Sequence, residues 1–294
     1  MKRKRTIRLS LLFVFFLILG QLVSSCLTFR LTHAEVEEKF AQTDQKVAYN
    51  AFPLETYQLS YMEQESSAAT SAVFIHGSPG SSSAFIDFFK DEELSQNLKI
   101  ISVDRPGFGH SNFGRAEPDL QVQAQLMMAI LDKTSTGPII LIGHSLGGPV
   151  AARMAMDYPE RISGIIMVAP SIAPELEPEE WFRKPLHGSF LRYLLPRSFR
   201  ASNDEIFYLK KELVLMEDKW KDIACDVVVI QGMQDKLVPP ANADYAKKMI
   251  TNAPVKIIKV EDMNHFVPWT HPHLIKDAIL RLQEKIASPI ISPN

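Results

Sequence analysis

The stretch Gly143-His144-Ser145-Leu146-Gly147-Gly148 sets a serine between two glycines at Gly-x-Ser-x-Gly spacing. A serine hydroxyl is a weak nucleophile at neutral pH. Chemistry at Ser145 therefore needs a turn that presents the hydroxyl, a base to take its proton and donors for the oxyanion that forms. The flanks suit the first requirement. Pro138 to Ile142 is an apolar run of strand length, and Pro149 to Asp157 is an Ala- and Met-rich segment that reads as helix. Strand, Gly-x-Ser-x-Gly, helix is the context of a nucleophile elbow, a strained turn in which a side chain at either glycine would collide with its neighbours. The N–H of Leu146, where the helix starts, then points at the oxygen of a reacting carbonyl.

The elements that must position this turn show in the hydrophobic pattern. From Ala72 onward, short apolar runs alternate with helical segments: Ala72–Ile75, Lys99–Val103, Pro138–Ile142, Ile162–Val168, Asp226–Ile230 and Val255–Val260 read as strands. Continuous apolar runs mark strands buried on both faces, so the pattern predicts a mostly parallel, doubly wound α/β sheet flanked by helices. Residues 56–62 alternate polar and apolar and predict an early antiparallel strand. Residues 26–53 read as a tether or N-terminal helix outside the main sheet, residues 54–169 and 224–287 as the core, and 288–294 as a loose tail. The alternation stops between residues 170 and 223, which are rich in Pro, aromatics and charge; a structureless loop of that length is unexpected inside a compact domain, and amphipathic patches such as Ile206–Leu215 predict a helical cap.

Four motifs stand at predicted strand ends. They are His76-Gly77-Ser78-Pro79-Gly80, Asp104-Arg105-Pro106-Gly107-Phe108-Gly109-His110-Ser111, the Ser145 turn, and a final pair, Gln231-Gly232-Met233-Gln234-Asp235 with Met263-Asn264-His265-Phe266. Their types and order resemble the α/β-hydrolase fold superfamily from about residue 54 to residue 286, most nearly its capped serine hydrolases. The resemblance implies a Ser-His-Asp triad of Ser145, His265 and Asp235, with an oxyanion hole from the N–H groups of Ser78 and Leu146. Pro79 has no N–H to offer. Asp262 and Asp104 are alternatives for the acid, but Asp262 is close to His265 in sequence and Asp104 suits bracing its own turn. Of the other histidines, His76 suits a structural hydrogen bond, His144 points elsewhere, and His110 is placed to line the site.

Relatives that form an alkyl-enzyme carry Asp at the elbow, so Ser145 excludes them and implies an acyl-enzyme. The expected function is cleavage of carboxylic esters of small substrates. The same triad also serves carbon–carbon hydrolases, prolyl-type aminopeptidases and perhydrolases, and a non-catalytic binding lipoprotein is a further alternative. For an aminopeptidase, Glu175, Glu177, Glu179 and Glu180 offer an amine anchor, although their run reads as a solvated acidic face. No cofactor is implied. No metal-ligand spacing occurs, and the pair His271 and His273 lacks acidic or Cys partners.

The N-terminus reads as a targeting segment. Residues 1–25 hold Lys2, Arg3, Lys4, Arg5 and Arg8, no acids, and an apolar run from Leu9 to Leu19 broken only by Ser10. The run is short for a membrane span, which needs about 20 residues, and suits a signal peptide. Val23-Ser24-Ser25-Cys26 resembles a bacterial lipobox, which implies cleavage before Cys26 and lipidation of its thiol; Leu27 in the next position favours an outer membrane where there is one. An uncleaved anchor is the alternative. Removing the five cations from a total of 32 leaves 27 basic against 34 acidic residues, a net charge of −7, which gives no reason to expect nucleic acid. Cys225 is the one other cysteine, and its place before a strand suits a buried thiol.

Overall fold

The computed structural model describes residues 27–288. The expected signal peptide, the lipidation site at Cys26 and most of the C-terminal tail lie outside the described residues. The strands are β1 (Val47–Pro53), β2 (Gln58–Gln64), β3 (Ser71–Ile75), β4 (Lys99–Asp104), β5 (Ile139–His144), β6 (Ile162–Val168), β7 (Asp226–Gly232) and β8 (Val255–Val260). They form one sheet in the order β1-β2-β4-β3-β5-β6-β7-β8. Pairing is antiparallel from β1 through β2 to β4 and parallel from there to β8.

The helices are α1 (His33–Phe40), α2 (Ile86–Lys90), α3 (Glu92–Asn97), α4 (Leu120–Thr134), α5 (Gly147–Asp157), α6 (Arg183–Gly188), α7 (Arg197–Leu215), α8 (Asn242–Met249), α9 (Val267–Thr270) and α10 (Pro272–Ala287). Each central strand feeds both faces of the sheet. Val73, Leu141, Ile165 and Val229 pack in the cluster that holds residues of α4, α5 and the end of α7. Their chain neighbours Phe74, Ile142, Ile166 and Ile230 pack in the opposite cluster with α1, α2 and α10. With side chains alternating across the sheet, two buried faces require apolar residues at every position, which is why these runs do not alternate.

Two places differ from the sequence reading. The segment read as a tether or N-terminal helix outside the sheet does form a helix, α1, opened by a capping box between Thr32 and Glu35, but it continues into β1, which joins the sheet and pairs with β2 along its whole length. As an edge strand, β1 buries only Val47 and Phe52, so its sequence lacks the apolar density that reveals the inner strands. Phe85 to Leu94 reads in sequence as a single helix, but Asp91, whose backbone is extended and whose carboxylate caps α3 through the Leu94 N–H, breaks it into α2 and α3. Residues 170–223 carry α6, α7 and short 3-10 turns over the C-terminal ends of the parallel strands.

Candidate active site

Ser145 sits directly after β5 with φ at 53°, a left-handed backbone that few non-glycine residues adopt. The turn is closed by its N–H donating to the Val168 carbonyl at 2.9 Å and by its own carbonyl accepting from Gly148 at 2.9 Å. The glycines permit the close approach. A Cβ on Gly147 would lie 2.2 Å from the Ile75 carbonyl oxygen, and one on Gly143 would lie 2.3 Å from that of Gly147. Helix α5 can therefore start against the end of β3, with Leu146 at its N-cap, where the first N–H groups have no partner within the helix.

Asp235 follows β7 and His265 follows β8, on neighbouring parallel strands. His265 Nδ1 lies 2.7 Å from Asp235 Oδ2. An ionised carboxylate only accepts, so Nδ1 carries the hydrogen and Nε2 keeps its lone pair. The other oxygen of Asp235 accepts from the N–H groups of Leu237 and Val238 at 2.9 and 2.8 Å. Burial works to raise the Asp235 pKa, but the His265 bond and these two N–H groups together outweigh it, and the carboxyl lies below its ordinary value. Both side chains are buried.

Ser145, Leu146, Ser78 and His265 line one cavity of about 440 Å³ beneath the cap. Ser78 follows β3, and its hydroxyl donates to Ser202 on α7 at 2.9 Å. The loop before it is tightly held. The N–H of Arg105 donates to His76 Nε2 at 3.0 Å, so His76 carries its hydrogen on Nδ1 and donates to the Gly77 carbonyl at 2.7 Å. Burial and, after it, the Arg105 charge push the His76 pKa well below the usual histidine range. His144 is absent from the wall of this cavity but lines an adjoining one that also reaches Ser145 and His265; it donates from Nε2 to the His265 carbonyl at 3.0 Å, and burial, then the neighbouring His265, lower its pKa to about 3.

The structure thus brings Ser145, His265, Asp235, Ser78 and Leu146 together and leaves the alternatives elsewhere. Asp104 accepts from the N–H groups of Ser82 and His110 at 2.6 and 2.8 Å and braces those turns. His110, expected near the site, instead meets the Leu31 carbonyl at 3.0 Å and the rings of His33 and Tyr49. Asp262 makes no part of the cavity wall. No group of His, Cys, Asp and Glu suited to a metal ion occurs among the described residues. Cys225 is half-buried, and burial pushes its thiol up to about 12.

Three features of the site have no sequence motif. Glu177 and Glu180, expected in a solvated run, line the cavity, and Glu177 accepts from Ser171 with its pKa raised chiefly by burial. Asn203 on α7 lines it too, with a buried Oδ1 that has no partner among the described residues. Glu205, one turn from Ser202, is buried against Arg105. Asn203 and Glu205 take their positions from where α7 crosses the sheet, and Glu177 and Glu180 from the segment that enters the cap, which no local pattern encodes.

Residues 73–193 match the family model of the alpha/beta hydrolase fold. The chain is 30% identical over 252 residues to the 2-hydroxy-6-oxononadienedioate/2-hydroxy-6-oxononatrienedioate hydrolase of Burkholderia vietnamiensis, an alignment covering 71% of this chain and 85% of that protein. The protein belongs to the α/β-hydrolase family. It is also 29% identical over 129 residues to the dihydrolipoyllysine-residue acetyltransferase component of the acetoin cleaving system of Cupriavidus necator, which covers 44% of this chain and 34% of that one. The chain therefore spans about a third of the length of that relative. Among solved structures, a membrane phospholipase A described as a bacterial virulence factor superposes with a TM-score of 0.61 at 16% identity, covering 97% of this chain and 99% of that one; at such identity the likeness is one of fold.

Proposed function

We propose that the protein is a serine hydrolase that cleaves carboxylic esters through an acyl-enzyme on Ser145. His265 Nε2 takes the hydroxyl proton as Ser145 attacks the carbonyl, and passes it to the leaving alcohol; water then repeats the sequence on the acyl-enzyme. Asp235 holds the imidazole in the required tautomer and stabilises its charged form. The N–H groups of Ser78 and Leu146 receive the oxyanion, each worth about 3 kcal/mol in the transition state. The observation that carries this reading is the Asp235–His265 bond of 2.7 Å beside a cavity that Ser145 and both donors share. We extend the proposal to location: the basic and apolar N-terminus with Cys26 anchors the protein to a membrane after export.

Hydrolysis of p-nitrophenyl butyrate tests the mechanism. Ser145→Ala is expected to lower kcat at least about 10³-fold and to abolish labelling by a fluorophosphonate probe. An unchanged rate would remove Ser145 from the mechanism. A second reading keeps the triad and changes the bond to carbon–carbon, favoured by the 30% identity to a hydrolase of 2-hydroxy-6-oxo dienedioates. Under it, 2-hydroxy-6-oxononadienedioate would turn over faster than any ester.

A further inference from the structure

The cap leaves much of its aromatic surface uncovered. Trp181, Phe190 and Tyr193 are 84%, 76% and 67% exposed. Residues 181–200 hold five Lys or Arg and no Asp or Glu, in a chain of net charge −2. Some of this charge is answered from outside the stretch, since Arg183 pairs with Glu180 and Arg192 with Asp204. The guanidinium groups of Arg192 and Arg200 lie over the Tyr193 ring. Large exposed apolar side chains in one patch mark an interaction surface, and aromatics interleaved with cations are the composition that sits at the headgroup level of an anionic bilayer.

The patch runs into the mouth of the site. The Trp181 ring meets that of Phe182, which with Phe199 lines the cavity holding Ser145. On the core side of the mouth, Leu237, Phe266 and Trp269 are at least half exposed. An apolar, cationic rim around an acyl-hydrolase cavity suits a substrate that arrives from lipid rather than from water.

The chain also enters at this face. The Leu27 carbonyl accepts from Ser198 of α7 at 2.5 Å, and the Phe29 ring packs edge-on against Phe199 with centroids 5.6 Å apart. Ser81 Oγ donates to the Phe29 carbonyl at 2.6 Å, and the Leu31 N–H donates to Ser83 Oγ at 3.0 Å. These bonds strap residues 27–31 across the rim, and Phe29 becomes part of the wall of an adjoining cavity that also reaches Ser145 and His265. Cys26 and the apolar run of residues 9–19 precede the strap directly in sequence. A retained anchor or a lipid on Cys26 would therefore bring a bilayer to the side of the molecule that carries the mouth.

We propose that the cap face around the cavity mouth docks on a phospholipid bilayer and that the site draws acyl chains from it. The inference rests on the ester-hydrolase reading of Ser145 and names its substrate class, a membrane-resident acyl ester. The three tryptophans make it testable, because Trp181 and Trp269 lie on this face whereas Trp220 is 1% exposed in the core. The full chain is reconstituted in vesicles of phosphatidylcholine and phosphatidylglycerol, with and without brominated acyl chains. Brominated lipid is expected to quench the emission of Trp181 and Trp269, and the double variant Trp181→Phe/Trp269→Phe is expected to lose most of the quenching. A second arm substitutes Trp181, Phe190 and Tyr193 with Ser; none of them lines the cavity. This variant should keep its rate on p-nitrophenyl butyrate and lose about tenfold on a diacyl ester presented in vesicles.

Unquenched tryptophans in vesicle-bound protein, or equal losses on soluble and vesicle substrates, would overturn the docking. So would a wild-type dimer in detergent that the triple variant converts to monomer, since a second copy would then cover the face. Inactivity of the wild type on every ester would defeat the reading of Ser145, and quenching would still decide the orientation.

Discussion

Glu205→Ala tests how the cap is coupled to the oxyanion loop. Arg105 is fully buried and Glu205 is 2% exposed. All five N–H groups of the guanidinium are used: Nε on the His76 carbonyl at 2.8 Å, Nη1 on Gln123 at 3.2 Å and on Glu205 at 2.7 Å, Nη2 on the Gly77 carbonyl at 2.9 Å and on Glu205 at 3.0 Å. Removing the carboxylate leaves a buried cation without its countercharge, which costs about 3–5 kcal/mol. At about 2 °C per kcal/mol for a chain of this size, Tm should fall by roughly 6–10 °C. The Gly77 carbonyl belongs to the same peptide unit as the Ser78 N–H. A cation holding that oxygen thus fixes the direction of the proposed oxyanion donor and strengthens its polarisation. Loss of the pair should lower kcat on a soluble ester about tenfold, part of the 3 kcal/mol a whole donor supplies, with little change in KM. Circular-dichroism melts and ester kinetics read the two effects separately. Replacing both partners by apolar residues, Arg105→Met with Glu205→Leu, should recover stability relative to Glu205→Ala, because the uncompensated charge is gone. A loss of under about 1 kcal/mol in Glu205→Ala would refute the electrostatic argument, and an unchanged kcat in a destabilised variant would refute the link to Ser78.

Two further outcomes follow from the same geometry. Gly147→Ala places a methyl 2.2 Å from the Ile75 carbonyl oxygen, so α5 must retreat and carry the Leu146 N–H with it; activity should fall about 10²-fold, whereas Gly188→Ala, with nothing within 4 Å, should leave it unchanged. His144 stays neutral in the folded protein down to about pH 3, while the unfolded chain takes up a proton below its ordinary value of 6.5. Stability from this group is therefore complete above pH 6.5 and declines towards pH 3, with a slope of up to about 1.4 kcal/mol per pH unit. Urea unfolding between pH 7 and pH 5 should show a flatter decline in His144→Gln, and an identical slope would contradict the buried neutral assignment.

The parallel strands were legible in sequence because burial on both faces leaves no freedom in residue type, as at Ile139–Ile142 and Val227–Ile230. The Ser145 turn was legible for a steric reason, since a chain that presses α5 against the end of β3 tolerates only glycine at 143 and 147. The edge strand β1 was not legible, because half-exposed positions accept almost any residue. Asp235 and His265 could be ranked from the order of motifs, but their 2.7 Å contact exists only because β7 and β8 are neighbours in register. The cap belongs wholly to the tertiary structure. Nothing around Glu205, Asn203 or Glu177 distinguishes them from solvated residues in the chain; the path of α7 over the strand ends buries the first two, and the third reaches the cavity wall from the segment that enters the cap. Local steric demands are written into the residues that meet them, whereas complementarity between distant segments is written into neither segment alone.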